Sequence, residues 1–401
     1  MYITKKVRLF PTQEQEILMR KTAGCCRFLY NWYIDEFKLG NISNYTQASK
    51  KFTQLKKQEE YIWLNEPSRT SIVHEFQNAE KAYQDFFNHK SGYPKYKSKN
   101  NDEISFYVRC DSYIDKKSGK LINKLTRTSN GVKIEKLGIV KTNQPLPKIP
   151  KNQHYCNVTI SYDNKYWYLS VSYEIPEEQL MLTGKSIGID LGIKDLAITS
   201  YHKKYKNINK HPKMKRIEKK IKRKQRKLQR QRDANKNVYI KEVSIDKNGN
   251  EIISKRKKKL SECKNYQKTR KEIQLLYRKQ RNIRENHIYL IINEIVRTKP
   301  SRIVMETLYP HRLMKNRHLA KAIQEAKWRF FINHIKNKCK RYGIEFIQAE
   351  QFFPSTQKCN KCGNVKKGKE KMKLNHRIYR CSECGNVIDR DINASINLAK
   401  Y

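Results

Sequence analysis

Ile187-Gly-Ile-Asp-Leu-Gly-Ile193 alternates apolar residues with two glycines and one acid. As a strand, it places Ile187, Ile189, Leu191 and Ile193 on one face. Gly188, Asp190 and Gly192 share the other. An apolar core strand would not leave a face bare around one carboxylate. The flanking glycines are expected to leave room above Asp190 for metal ions and a phosphodiester. The plainer reading is an acid in a tight hairpin, since a second strand follows a turn near Lys194-Asp195 and runs to residue 200.

Two further carboxylates lie in comparable settings. Glu306 ends the apolar run Ile303-Val-Met305, which reads as a strand buried on both faces. Ligands of open α/β sheets bind beyond the carboxyl ends of such strands. Asp391 begins a final helix, about 391–400, one residue off a packing stripe of Ile392, Ile396 and Ala399. A helix N-cap is the alternative for Asp391, and Asp389 is its rival for either role. Between them lie a strand over 301–308, a helix over 319–342 closed by Gly343, and a strand over 344–349. Hard carboxylate oxygens suit magnesium or manganese. Two such ions roughly 3.5–4 Å apart activate water and stabilise the leaving oxygen in phosphodiester hydrolysis. No Gly-x-x-x-x-Gly-Lys loop for ATP is present, and no nucleophile elbow supports a Ser–His–Asp site.

Cys359-x-x-Cys362 and Cys381-x-x-Cys384 are each followed by glycine. Paired turns of this spacing form tetrahedral zinc sites, and four thiolates leave no open position, so one structural zinc is expected. His376 is a conceivable substitute ligand. The other six cysteines are scattered and read as small buried hydrophobes.

The rest of the chain is strongly basic. Its 87 Lys and Arg against 38 Asp and Glu leave a formal charge of +49 over 401 residues. Such a surplus repels itself and calls for a polyanionic partner, with salt-sensitive binding. A ribosomal or chromatin-type protein without catalysis is the alternative on charge alone. No segment reaches the apolar length of a membrane span, and Lys5, Lys6 and Arg8 interrupt any signal-peptide core. A cytoplasmic, nucleoid-associated location without a membrane partner is expected, and a monomer.

Upstream of Ile187, residues 2–9 read as a strand. Helices follow, one opened by Pro11 and one with Ile72, Phe76, Ala79, Tyr83 and Phe86 on a single face. From 103 to 175 the chain reads as antiparallel β, its clearest hairpin pairing 157–162 with 166–173, and strand 2–9 is expected to complete that sheet. Residues 202–297 form a basic insertion. Met214, Ile221 and Leu228, and Leu276, Ile283 and Leu290, recur at seven-residue steps, predicting two packed helices. A β turn at Asn248-Gly249 marks the tip.

The chain resembles the TnpB family, transposon-encoded RNA-guided nucleases related to type V CRISPR effectors. The resemblance rests on Leu9-Phe-Pro-Thr12, Arg27-Phe-Leu-Tyr-Asn31, Gly92-Tyr-Pro-Lys-Tyr-Lys97, Ile187-Gly-Ile-Asp-Leu-Gly192 and Ile303-Val-Met-Glu306. It continues through Pro354-Ser-Thr-Gln-Lys-Cys359, the second cysteine pair and Asp391-Ile-Asn-Ala-Ser-Ile-Asn397. It implies a multidomain α/β protein with an RNase H-like RuvC nuclease domain over 184–350 and 386–401, carrying the 202–297 helical hairpin. It also implies a zinc-binding domain over 351–385 and a β-barrel wedge domain over 1–10 and 91–183, interrupted by a helical recognition domain over 11–90. Asp190, Glu306 and Asp391 become the acidic triad, with Asp391 favoured over Asp389 because the family's aspartate precedes x-Asn-Ala. The implied partners are a guide RNA from the transposon end and double-stranded DNA with a short adjacent motif. Thr307-Leu308 departs from the family's usual Asp/Asn-Leu. The competing classes are a nuclease-inactive RNA-guided DNA-binding regulator and a transposase acting on DNA directly.

Overall fold

Strand β1 (Tyr2–Phe10) pairs with chain more than 150 residues away, because three helices are inserted behind it. The computed structural model describes residues 1–98, 104–114, 121–150, 153–176, 180–245, 251–373 and 375–401. Two units divide it, Met1–Pro176 and Glu177–Tyr401.

In the first unit, Thr12 rather than Pro11 sets the start of α1 (Gln13–Lys38). The Thr12 hydroxyl accepts from Gln15 N, and the Gln15 side chain accepts from Thr12 N. α1 packs on α2 (Tyr45–Leu55) and α3 (Arg69–Phe87) through Leu29, Tyr33, Phe52, Ile72 and Phe76. The β region then runs β2 (Ile104–Tyr107), β3 (Ser112–Ile114), β4 (Leu121–Asn123), β5 (Thr126–Arg127), β6 (Gly131–Ile134), β7 (Gly138–Thr142), β8 (Cys156–Tyr162) and β9 (Trp167–Glu174). Seven strands form one sheet in the order β2-β8-β9-β1-β7-β6-β5, with β3 and β4 as a separate hairpin. β1 does join this sheet, antiparallel to β9 from Tyr2↔Glu174 to Leu9↔Trp167. Strands β2 and β5 stand at its two ends, and among the described residues no pairing between them closes the ladder.

The second unit is built on β10 (Ser186–Leu191), β11 (Asp195–Thr199), β12 (Lys204–Lys206), β15 (Arg302–Glu306) and β16 (Glu345–Ala349), in the order β12-β11-β10-β15-β16. β15 runs parallel to both neighbours, while β11 is antiparallel to β10 and β12. One face buries Ile187, Ile189, Ile303 and Met305 against α5 (Lys264–Arg297) and α8 (Trp328–Tyr342). The other buries Val304 and Ala349 with Leu398 of α9 (Arg390–Ala399).

The insertion forms α4 (Pro212–Ala234), the hairpin β13 (Tyr239–Ile245) with β14 (Glu251–Lys257), and α5. Met214, Ile217 and Ile221 meet Leu276 and Ile283 along the expected seam. Leu290 leaves it and is 59% exposed. There α5 already lies over the sheet and packs through Ile288, Ile291, Ile292 and Ile295. Asn248-Gly249 falls outside the described residues. The helix expected over 319–342 is two, α7 (Arg317–Ala326) and α8, preceded by the short α6 (Pro310–Leu313). Lys327 separates them with a left-handed backbone (φ 53°), and neither glycine nor proline announces that break. Gly343 closes α8 at φ 69°. The cysteine segment carries β17 (Ile378–Arg380) and β18 (Val387–Asp389). Among the described residues, no helix is long and apolar enough to cross a membrane.

Candidate active site and metal centre

Gly188 decides how the carboxylates meet. A Cβ there would lie 1.9 Å from Ser395 O and 2.4 Å from Ala399 N of α9. The face expected to be left bare for metal and phosphate is therefore covered, at Gly188, by helix backbone. Gly192 is closed too, since its Cβ would meet Asp195 O at 2.8 Å in the turn to β11. The glycine matters because it lets α9 dock on β10, bringing the helix start beside the strand ends.

That docking changes the packing stripe of α9. Ile392, Ile396 and Ala399 are only half-buried, whereas Asn393, Ala394, Ser395, Asn397 and Leu398 are buried. Small and polar residues replace the expected apolar stripe because the helix lies directly on backbone. Its two asparagines hold the cysteine segment. Asn393 and Asn397 both donate to Lys358 O (2.7 and 2.6 Å), Asn397 also donates to Ser355 O (2.8 Å), and Asn360 N donates to Asn393 Oδ1 (3.0 Å). Buried amides four residues apart on a short helix were a legible but unused sign of this tether.

The three carboxylates come from three elements. Asp190 lies on β10, Glu306 ends β15, and Asp391 stands in the first turn of α9. Asp190 keeps part of its surface open although protein crowds its carboxyl, and that carboxylate has no hydrogen-bond partner among the described residues. Burial first, then the charges of Glu306 and Asp391, push its pKa well above the usual carboxylate range. Burial likewise raises Glu306, against a hydrogen bond donated by the Ser355 hydroxyl. Arg390 donates twice to Asp391 Oδ1, at 3.0 and 2.8 Å, while Arg377 stands 4.0 Å from Oδ2. The carboxylates share one neighbourhood, but they do not form a cluster with all oxygens within 4.8 Å. Mutually repelling, partly buried acids with hard oxygen donors fit divalent cations.

Asp389, the rival, is the N-cap. Its Oδ1 accepts from Asp391 N and Ile392 N (3.0 and 3.1 Å), and Oδ2 pairs with Lys204 at 2.6 Å. Burial pushes its carboxyl up, but Lys204 and the two N–H groups outweigh that and hold it below the usual range.

The four cysteines do form one cluster, with all Sγ atoms within 4.8 Å of one another. Cys359 and Cys384 are 3.7 Å apart and Cys362 and Cys381 3.5 Å. A tetrahedron with zinc–sulfur bonds of about 2.3 Å has edges of about 3.8 Å, so the donor set fits zinc. Gly363 (φ 82°) and Gly385 (φ 67°) supply the left-handed turns after each pair. Burial pushes the Cys359 thiol up, but backbone N–H groups of Cys362 and Lys361, with Asn386, hold it down to about 6. His376 is exposed, accepts from Lys373 N at 3.4 Å and stands outside the cluster.

The second unit, with its cysteine cluster, has a fold related to the RuvC/TnpB-Cas12 architecture. A family model described as "Probable transposase" matches residues 170–317, and one described as "Cas12f1-like, TNB domain" matches residues 328–398. A third, "Helix-turn-helix domain", matches residues 1–38, which form one strand and one helix here. A Streptomyces pristinaespiralis protein, provisionally named an RNA-guided DNA endonuclease, is 28% identical over 408 residues, covering 98% of this chain and 87% of the relative. InsQ of Escherichia coli K12, named in the same way, is 23% identical over 415 residues, covering 98% and 90%. In a Cas12f1-sgRNA-target DNA complex, the matching protein superposes with a TM-score of 0.51 at 14% identity, covering 100% of this chain and 98% of that one. The chain is TnpB/Cas12f-like, similar over nearly its whole length to transposon-encoded, RNA-guided nucleases.

Proposed function

We propose that the protein is an RNA-guided endonuclease that cuts double-stranded DNA by metal-dependent phosphodiester hydrolysis. The observation that carries this reading is the seating of α9 on Gly188, which turns Asp391 toward Asp190 and the end of β15. Asp190, Glu306 and Asp391 would hold two magnesium or manganese ions, which supply Lewis acidity and an activated water. Ser355 fixes one Glu306 oxygen, and Arg390 fixes one Asp391 oxygen. The other oxygen of Glu306 and Asp391 Oδ2, with Arg377 4.0 Å away, would be the metal donors. Asp389 positions the helix start and takes no part in metal binding. One structural zinc on Cys359, Cys362, Cys381 and Cys384 would brace the same helix through Lys358, Asn393 and Asn397.

In this reading 1–10 and 91–183 serve as a β-barrel wedge, 11–90 as a helical recognition domain, 184–350 with 386–401 as the nuclease and 351–385 as the zinc-binding domain. The charge of +49 suits a long guide RNA together with target DNA. Base pairing would supply sequence specificity beside a protein-read adjacent motif. The deciding experiment strips nucleic acid in high salt and assays matched DNA with magnesium, with and without added guide. Guide- and magnesium-dependent cutting is expected. Equal sequence-specific cutting without RNA would overturn the guided mechanism in favour of direct DNA recognition.

A further inference from the structure

Beyond the carboxyl ends of β15 and β16 lies a cleft of about 540 Å³. It starts two residues after Glu306, at Leu308, and the parallel register carries Gln348 of β16 to its rim beside Met305. Strand alternation puts Gln348 on the Met305 face of the sheet, opposite the face that packs α9. The cleft therefore adjoins the carboxylates around the strand ends without overlapping them.

Its lining joins apolar surface with unused hydrogen-bonding groups. Ile323 and Trp328, buried at 3% and 6% exposure, form the floor, and the Trp328 indole is anchored by its N–H on Gly192 O at 3.4 Å. The Tyr309 ring, 37% exposed, stands at the wall. Gln324, Asn333 and Gln348 each bring a side-chain amide with no partner among the described residues, and Arg329 is exposed and makes no ion pair among them. A volume in this range, an aromatic wall, a few convergent amides and a cation match a planar heterocycle beside a phosphate.

The backbone supports the same reading independently. The cleft exists because α7 and α8 are broken at Lys327, a non-glycine residue in the left-handed region. The Lys327 side chain pairs with Glu285 at 2.6 Å. Without that break, Ile323 and Gln324 would continue one helix with Arg329 and Asn333. Strain of this kind is kept where surrounding structure enforces it, and it clusters at functional sites.

We infer that this cleft is a nucleobase subsite for the DNA strand being cut, taking one unstacked base near the scissile phosphate with Tyr309 as stacking wall and Gln348 reading the base edge. This rests on the nuclease reading above. It makes Tyr309 and Gln348 positioning residues that select where the strand lies across the carboxylates.

The test uses the full chain with guide RNA on matched DNA, with 2-aminopurine placed at successive positions across the cut. Calcium replaces magnesium, so that binding is read without cleavage. Quenching confined to one position is expected, with fluorescence restored in Tyr309→Ala. With magnesium, an abasic nucleotide at that position and Tyr309→Ala should each slow cutting by roughly tenfold, the size of one lost base–aromatic stack. Their combination should be no slower than either alone. Gln348→Ala should change which base is preferred there while leaving guided binding intact. Quenching that is absent, spread evenly, or unchanged in Tyr309→Ala overturns the subsite. Guided DNA that is bound and quenched but never cut would instead overturn the nuclease reading and leave the subsite standing.

Discussion

The carboxylate neighbourhood and the thiol cluster sit on the two sides of one short helix, and they are assembled in opposite ways. The thiols come from two local turns, each set by its own glycine, and they close to within 4.8 Å. The carboxylates come from elements about 200 residues apart in the chain, and they remain separate: Ser355 steadies Glu306, Arg390 steadies Asp391, and the Asp190 carboxylate has no such partner among the described residues. Four thiolates would saturate a zinc ion, and such a site would stabilise the fold. The carboxylates, on the proposed reading, would leave open positions on their metals, and the fold holds them near one another against their own repulsion. The difference teaches that α9 is the shared part. Asn393 and Asn397 grip the cysteine segment, Ser395 and Ala399 lie on β10, and Asp391 stands in the first turn.

Breaking the carboxylate side should give the largest effect on activity. Asp190→Ala or Glu306→Ala should lower guided cleavage by about a thousandfold or more, the scale of losing a catalytic metal ligand group. Binding of matched DNA, measured by filter retention, should stay within a few-fold. Breaking the thiol side comes next. Cys362→Ser should release the metal, seen as loss of zinc in metal analysis. It should also cut cleavage by about ten- to a hundredfold, because α9 loses its brace. Metal-replete wild-type protein that contains no zinc would remove this half of the comparison.

The shared helix can be tested without touching either metal site. Gly188→Ala forces a Cβ into helix backbone, and Asn397→Ala leaves Lys358 O and Ser355 O short of a donor. Each should cost about 1–3 kcal/mol in thermal unfolding and slow cleavage together with it. If Gly188→Ala slowed neither, α9 would not be seated as described.

The smallest effect is a gain. Asp190 has a raised folded pKa, from burial and then from Glu306 and Asp391. Between the unfolded value of about 4 and that raised value, the native state binds more protons than the unfolded chain. Stability of the magnesium-free protein should therefore fall as pH rises through this window. Asp190→Asn should flatten that slope and raise the melting temperature at neutral pH by a few degrees, while abolishing cutting. A steeper slope in Asp190→Asn would contradict the electrostatic account.

Much of this was legible beforehand, for physical reasons that differ by residue. The alternation around Asp190, the apolar run ending at Glu306 and the cysteine spacing are local patterns, and each appears as strand, strand end and cluster. The role of Gly188 was misread because a missing side chain records that something approaches, not what. The stripe on α9 was misread because hydrophobicity is a poor guide where helix lies on backbone. The break at Lys327 had no signal, since Ala326-Lys327-Trp328 is unremarkable as helix and tertiary packing enforces the left-handed turn. Ser355 and Lys204 reach the acids only through the fold, whereas Arg390 is the chain neighbour of Asp391.

The central claim is that Asp391, not Asp389, completes the acidic site because α9 is capped by one and presents the other. The direct measurement is guided cleavage of matched DNA under magnesium by Asp391→Asn and Asp389→Asn, with folding checked by thermal melting. Asp391→Asn is predicted to retain its fold and cut no more than background. Asp389→Asn keeps an N-cap oxygen and loses its charge on Lys204, so it is predicted to lose at most about 1 kcal/mol of stability and to cut within about tenfold of wild type. Cutting by Asp391→Asn with none by a folded Asp389→Asn would contradict the account.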